Sequence, residues 1–283
     1  KSTIIRMAQD YHQLLNSMVT SSVQTVNQLQ KVICSETVKK HQLYIISTYT
    51  TEPIMPALEI SLSQFGYFCE LIHGLYNQVV QELMNMESFL YSKGNGGNFL
   101  LIRLEDIGRD SKYSTFEKQK EQLLTYKNML LDGLKQYSQY GHKPLWVVLS
   151  PPSTQVIFEK NKRELLHSVS EELSEFAKLL NNITLIEETA VQSHYFIPAI
   201  EDQFANQAGH IPYSEDYNAA LGFTVAKHYD NHHHTPKKAI IVDCDNTLWR
   251  GIVGEVDDIE IPSFFQTFQR ELKELSKQGI LIA

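Results

Sequence analysis

The sequence predicts an α/β protein: a parallel-sheet domain, followed by the start of a second α/β unit and preceded by a helical extension. Three observations carry this. Short apolar runs recur at 43–47, 67–72, 99–104, 144–149 and, more weakly, 183–186. Segments of helical periodicity lie between them, and such regular alternation argues for a parallel sheet with helices on both faces. A polar break over 229–238 then separates this series from a new strand–helix–strand pattern in 239–283.

Taken in order, Ile5, Met7, Tyr11, Leu14, Leu15, Met18 and Val19 recur at helical spacing and predict an N-terminal helix over 2–37. Its amphipathic face suits either docking to a neighbouring module or covering its own domain. The first strand ends in a Thr-rich turn. Pro53 suits the first turn of the helix that follows, and Thr51 its cap. Further helices are predicted over 76–89, 113–140, 156–180 and 213–228, with a Gly/Asn-rich turn over 92–98. Parallel sheets place their sites at the carboxyl ends of strands, so the polar turns after the first and third strands are the ones to watch. The break contains His232, His233, His234 and Pro236. Three adjacent histidines cannot all face one ion in regular structure, so the segment reads as a linker. The expected organisation is 1–38 helical extension, 39–230 α/β domain, 231–238 linker and 239–283 the first portion of a second domain.

The chain has 283 residues, of which 42% are hydrophobic and 20% charged, with a net charge of −8. That balance argues against nucleic acid or an anionic membrane as partner, since both want a basic face. No run reaches the length of a transmembrane helix, and residues 1–10 lack the apolar core of a signal peptide. Three cysteines, Cys34, Cys69 and Cys244, fit a reduced, cytoplasmic protein. Cys34 and Cys69 read as small buried apolar residues.

The most informative segment is 239–247. Ala239-Ile240-Ile241-Val242 is apolar throughout, as a buried parallel strand should be, and it runs into Asp243-Cys244-Asp245-Asn246-Thr247. Two carboxylates two residues apart point roughly the same way and repel each other unless a cation sits between them. Hard oxygen ligands favour Mg²⁺. Asp243 can then attack phosphorus, and Asp245 can shuttle the leaving-group proton. An EF-hand loop is excluded, because the segment turns apolar at Leu248-Trp249 and no Glu stands at the twelfth position.

The order of four apolar residues and Asp-x-Asp-x-Thr resembles motif I of the haloacid dehalogenase (HAD) superfamily. Asp243 and Asp245 match its nucleophile, acid/base and Mg²⁺ ligands, and Thr247 matches a substrate contact. The superfamily also needs a Ser/Thr after a second strand, a Lys and a further acidic pair. The last residues, 279–283, look like that second strand, so the later motifs are expected beyond Ala283. The run 243–249 with Gly251-Ile252-Val253-Gly254-Glu255 is similar to the FkbH-like family. So are Ser47 with Thr50-Thr51-Glu52-Pro53, Tyr76-Asn77-Gln78, residues 101–106, and Gly209-His210-Ile211-Pro212-Tyr213. The resemblance covers about 40–283. It implies an enzyme of polyketide and mixed peptide assembly lines that dephosphorylates 1,3-bisphosphoglycerate. Such enzymes load the C3 acyl (glyceryl) unit, through an enzyme thioester, onto an acyl carrier protein; some relatives deliver lactyl. Cys244, between the aspartates, is the thioester candidate; its alternative is a Cys packed under the sheet. Leu248 and Trp249 read as packing residues.

In the first domain, the Ser/Thr turn and the late His210 resemble the corners of an SGNH-type fold, giving an SGNH/flavodoxin-like sheet domain ahead of a HAD-like Rossmannoid one. In that fold a Ser and a late His form a nucleophile–base pair. The position three before His210 is Gln207 rather than Asp, and Asp202 would substitute only if the loop folds back. A silent domain that helps bind substrate or carrier is therefore the reading preferred over a hydrolase. Arg103 and His210 are its candidate substrate-binding residues, with a salt bridge from Arg103 to Glu105 or Asp106 as the alternative. A plain Mg²⁺-dependent HAD phosphatase with an accessory domain, and a non-catalytic docking module, stand beside the acyl-loading reading.

Overall fold

The structure is a computed structural model that describes residues 40–108, 115–234, 238–254 and 260–283. The predicted helix over 2–37, and Cys34 within it, lie outside the described residues. The chain divides into two compact units, ending at Asp230 and Ala283.

The first unit is built on five parallel strands, β1 (His41–Ser47), β2 (Cys69–His73), β3 (Gly96–Ile102), β4 (Leu145–Leu149) and β5 (Ile183–Ile186), in the order β2-β1-β3-β4-β5. Side chains of a strand alternate between the two faces, so each central strand supplies two cores. Tyr44, Ile46, Leu100, Ile102, Val147 and Leu149 point to one face, covered by α2 (Val79–Met84), α3 (Phe116–Tyr140) and α5 (Lys160–Ala177). Leu43, Ile45, Phe99, Leu101, Trp146 and Val148 point to the other, covered by α1 (Met55–Gln64) and α7 (Glu215–His233). β3 and β4 are buried along their whole length, which is why 99–102 and 145–149 read as unbroken apolar runs. Between α5 and α7 lies a short helix, α6 (Gln203–Gly209); α4 (Thr154–Phe158) precedes α5.

Several boundaries depart from the sequence reading. Gly96 and Gly97 belong to β3 rather than to a turn, because the sheet needs their missing side chains. A Cβ on Gly97 would lie 2.4 Å from the Trp146 ring, which itself stacks on Phe99 at 4.6 Å. The helix predicted over 156–180 breaks at Glu159, which is extended (φ −85°, ψ 93°), giving α4 and α5. Helix 76–89 shortens to α2, because the chain from Gly74 to Asn77 is tied to β1 through Gly74 N–H to Ile45 O (2.7 Å) and Asn77 N–H to Ser47 O (2.9 Å). Helix α7 runs on through 229–233, the Tyr229 ring being fully buried against Trp146 and Tyr67.

The second unit pairs β6 (Ala239–Ile240) with β7 (Leu281–Ile282) in parallel and contains helix α8 (Ser263–Lys277). Ladder bonding reaches past the short strands, through Leu281 N–H to Lys238 O, Ala283 N–H to Ile240 O and Val242 N–H to Ala283 O, all 2.8–2.9 Å. The strand expected over 239–242 is shorter and less buried than its apolar run suggests, Ile241 being 87% exposed, but Val242 and Asp243 stand at its end, as predicted.

Gly97→Ala is expected to destabilise the first unit by about 1–3 kcal/mol through overpacking against Trp146. Urea unfolding checks this, and a loss below ~0.5 kcal/mol would mean that the ring moves aside without cost.

Candidate functional site

Two clusters of polar side chains stand at the carboxyl ends of strands, one in each unit. In the first unit, the chain leaving β3 turns through Arg103, Glu105 and Asp106. The Arg103 guanidinium, 1% exposed, pairs with Glu105 and, at 3.3 Å, with Asp106. It also lies over the Tyr213 ring at 5.6 Å. Burial opposes its charge, but Tyr213, Asp106, Glu105 and Glu201 outweigh that and hold its pKa above the ordinary value. Burial pushes the Glu105 carboxyl up, only partly offset by Arg103 and by the Ser153 N–H and hydroxyl, which donate to it at 2.7 and 2.9 Å.

His210 meets this cluster from the far end of the chain. It is the left-handed C-terminal cap of α6 (φ 52°, ψ 43°), and Thr50 N–H donates to its carbonyl at 2.9 Å. Its ring Nε2 stands 3.0 Å from Asp106 Oδ1, and its Nδ1 hydrogen-bonds the Tyr76 hydroxyl. The structure thus brings Arg103 and His210 into one buried network and shows the salt-bridge alternative for Arg103, whose guanidinium is turned onto Glu105 and Asp106 and shut from solvent. Ser47 is not brought to His210: it is 6% exposed and its hydroxyl donates to Tyr49 O. Nor does Asp202 orient His210, because it caps α6 by accepting from Ala205 N–H at 2.8 Å. The orienting carboxylate is Asp106, a partner that local sequence spacing does not reveal.

In the second unit, the turn after β6 presents Asp243 and Cys244 to solvent and keeps Asp245 half-buried. Asp243 Oδ1 accepts from Cys244 N–H at 2.9 Å. Asp245 Oδ1 accepts from the Trp249 indole N–H at 3.0 Å and from Val253 N–H at 3.3 Å. Cys244 O accepts from Thr247 N–H and Leu248 N–H at 3.2 and 2.8 Å, closing the turn. Asn246, left-handed at φ 58°, accepts from Gly251 N–H at 2.9 Å. From α8, the Gln269 side-chain amide donates to Leu248 O at 2.7 Å. Two expectations change. Cys244 is exposed and carries no disulfide, so the packed-Cys alternative falls away. Trp249 orients Asp245 as well as packing; the i, i+4 spacing of the pair was the available signal. Thr247 is half-buried at the same turn.

Among the described residues, no group of three His, Cys, Asp or Glu side chains converges as a metal site. The donor set of Asp243 and Asp245, hard oxygens without sulfur or imidazole, nonetheless fits Mg²⁺, which retains waters and takes one or two carboxylates plus substrate phosphate. No helix among the described residues is long and apolar enough to cross a membrane.

No protein-family model matches the chain, and no curated protein matches it. Among solved structures, it is similar to the N-terminal part of the protein BF1531 from Bacteroides fragilis, which contains a phosphatase domain and was crystallised with Mg. The TM-score is 0.68 at 18% identity, over 86% of this chain and 68% of that one. A candidate platelet activating factor from Streptococcus pneumonia (TM-score 0.42, 13% identity, 81% of this chain and 99% of that one) and an aryl esterase of M. smegmatis (0.37, 14%, 66% and 97%) are more distant. The first likeness establishes the fold, an α/β architecture with a parallel five-stranded sheet.

Arg103→Met should cost about 3–5 kcal/mol in urea unfolding, because Glu105 and Asp106 remain in the interior without their counter-charge; Lys277→Met, at an exposed pair, should cost less than about 1 kcal/mol. Equal effects would mean that the cluster is solvated. Burial pushes the Cys69 thiol up to about 12. At pH 8 its thiolate fraction is therefore on the order of 1 in 10⁴, and it rises only as pH approaches that value. Iodoacetamide at pH 8 should label the Cys244 peptide of the folded protein and spare that of Cys69; the reverse order would overturn both assignments.

Proposed function

We propose that the second unit supplies the nucleophile, Asp243, and the acid/base, Asp245, of Mg²⁺-dependent phosphoryl transfer of the HAD type. The observation that carries this reading is the unequal treatment of the two carboxylates. Asp243 faces solvent at a strand end, where a phosphoryl group can approach. Asp245 is held from behind by Trp249 and Val253, as a proton shuttle that must keep its place requires. Asp243 attacks the phosphoryl group in line, and Asp245 protonates the departing oxygen. Bound Mg²⁺ supplies charge neutralisation between carboxylate and phosphoryl oxygens. The phosphatase domain with Mg in the similar B. fragilis structure supports the class of chemistry.

The finer reading follows from the FkbH-like resemblance. The substrate is 1,3-bisphosphoglycerate or a related C3 acyl phosphate, and the acceptor an acyl carrier protein. Cys244 attacks the C1 carbonyl, the C–S bond forms as the C–O bond to phosphate breaks, and inorganic phosphate leaves; the ester phosphoryl group goes to Asp243. An exposed thiol beside the nucleophile supports this division of labour. A plain phosphatase, in which Cys244 takes no part, is the second reading, favoured by the phosphatase domain of the similar structure.

Intact mass spectrometry of the protein with 1,3-bisphosphoglycerate and Mg²⁺ separates them. A gain of one glyceryl group, lost in Cys244→Ser, supports acyl loading. Phosphate release without a gain, lost at least about 10²-fold in Asp243→Asn, leaves the phosphatase. Neither product overturns both.

A further inference from the structure

The first unit contains a second arrangement that the aspartate turn does not use. Tyr76 follows β2, His210 caps α6 and Asp106 follows β3; they are far apart in sequence and meet at the carboxyl edge of the sheet. The order is hydroxyl, imidazole, carboxylate. Electrostatics favours the proton of a neutral His210 on Nε2, which stands 3.0 Å from Asp106 Oδ1, within ion-pair distance though outside hydrogen-bond alignment. Nδ1 is then the acceptor, and the Tyr76 hydroxyl donates to it. A nucleophile in contact with a base, which a third group orients, is the general signature of an activated hydroxyl, and tyrosine is among the residues that use it.

Exposure divides along the same line. Asp106 and His210 side chains are 4% and 10% exposed, whereas Tyr76 is 55% exposed. The base and the carboxylate beside it are buried, and the tyrosine that meets them is an exposed residue. The frame around them is rigid. Arg103 pairs with Asp106, Thr50 N–H and its hydroxyl hold the 209–210 carbonyls at 2.9 and 2.7 Å, and the Tyr76 loop is tied to β1 by Asn77 N–H. Ser47, at the corner where a serine nucleophile would stand, is turned onto its own backbone.

We propose that Tyr76, His210 and Asp106 form an acyl-transfer site in which the tyrosine phenol is the nucleophile toward activated esters and thioesters. The Tyr76 oxygen forms a bond to the acyl carbon while the bond from that carbon to the leaving oxygen or sulfur breaks. The phenolic proton passes to His210 Nδ1 and from there to the leaving group. Water or a thiol then attacks the acyl carbon and gives its proton to His210 Nδ1; the bond from that carbon to the Tyr76 oxygen breaks, and His210 passes the proton to the departing phenolate. Phenols and thiols ionise near 10 and about 8.5 respectively, so a tyrosyl ester is activated enough to pass its acyl group to a thiol, as an alkyl ester is not. Tyr76 and His210 are the catalytic residues, Asp106 and Arg103 positioning residues.

The test is the pre-steady-state reaction with p-nitrophenyl acetate, followed by peptide mass spectrometry. The expected result is a stoichiometric burst of p-nitrophenol with one acetyl group on Tyr76, unaltered in EDTA and in Ser47→Ala. Tyr76→Phe, at an exposed position that does not threaten the fold, abolishes the adduct. His210→Ala lowers the burst rate at least 100-fold, and free imidazole restores part of it, which a merely structural histidine would not allow. Asp106→Asn lowers the burst rate about tenfold or more without changing the half-saturating ester concentration. Absence of a burst, an adduct on Ser47 or elsewhere, or an adduct that persists in Tyr76→Phe would overturn the proposal. An adduct requiring Mg²⁺ would assign the chemistry to the aspartate turn instead.

Discussion

The carboxyl edge of the first unit depends on one buried cation. Arg103 lies where the chain leaves β3, and three otherwise separate segments converge on the groups it holds. Glu105, on one side of it, accepts from Ser153 at the start of α4; Asp106, on the other, meets His210 after α6; Tyr213 stacks against its face. Each carboxylate alone would be costly in this environment, and the guanidinium alone would be too. Together they offset one another's charge, and they link the loops after β3, β4 and α6. The sheet supplies the platform, and the ion cluster decides what stands on it.

The two units solve the placement of acidic groups differently. In the first, Asp106 and Arg103 are withdrawn from water and meet other side chains, while Tyr76, at the end of the network, is an exposed residue. In the second, Asp243 and Cys244 stand in water on a short turn, and only Asp245 is anchored, by an indole N–H and a backbone N–H. Buried charges give fixed geometry at a desolvation cost; exposed ones remain available to a cation or a phosphoryl group. The division of roles follows from that contrast.

The strand–helix alternation and the aspartate turn at a strand end were legible in the sequence, because they rest on short-range patterns. The burial expected of the run 239–242 was not, since Ile241 is 87% exposed. Boundaries were less legible where a long-range contact overrides local preference. Gly96-Gly97 has turn composition, yet it is strand, where the Gln42 backbone and the Trp146 ring occupy the space side chains would take. Residues 229–233 have linker composition, yet they are helical where Tyr229 fits a pocket between Trp146 and Tyr67.

The candidate sites divide in the same way. Asp243, Cys244, Asp245 and Trp249 lie within seven residues, and a turn of that length leaves few ways to arrange them. The sequence by itself determined that site and the α/β class. Asp106, His210 and Tyr76 could be placed together only by tertiary structure. Their partnership spans β2, β3 and α6, and it exists because parallel strands carry residues distant in the chain to a common edge. Whether Arg103 binds a ligand or a neighbour was likewise undecided until its surroundings were known, since a guanidinium recognises any carboxylate and only burial selects which one it meets.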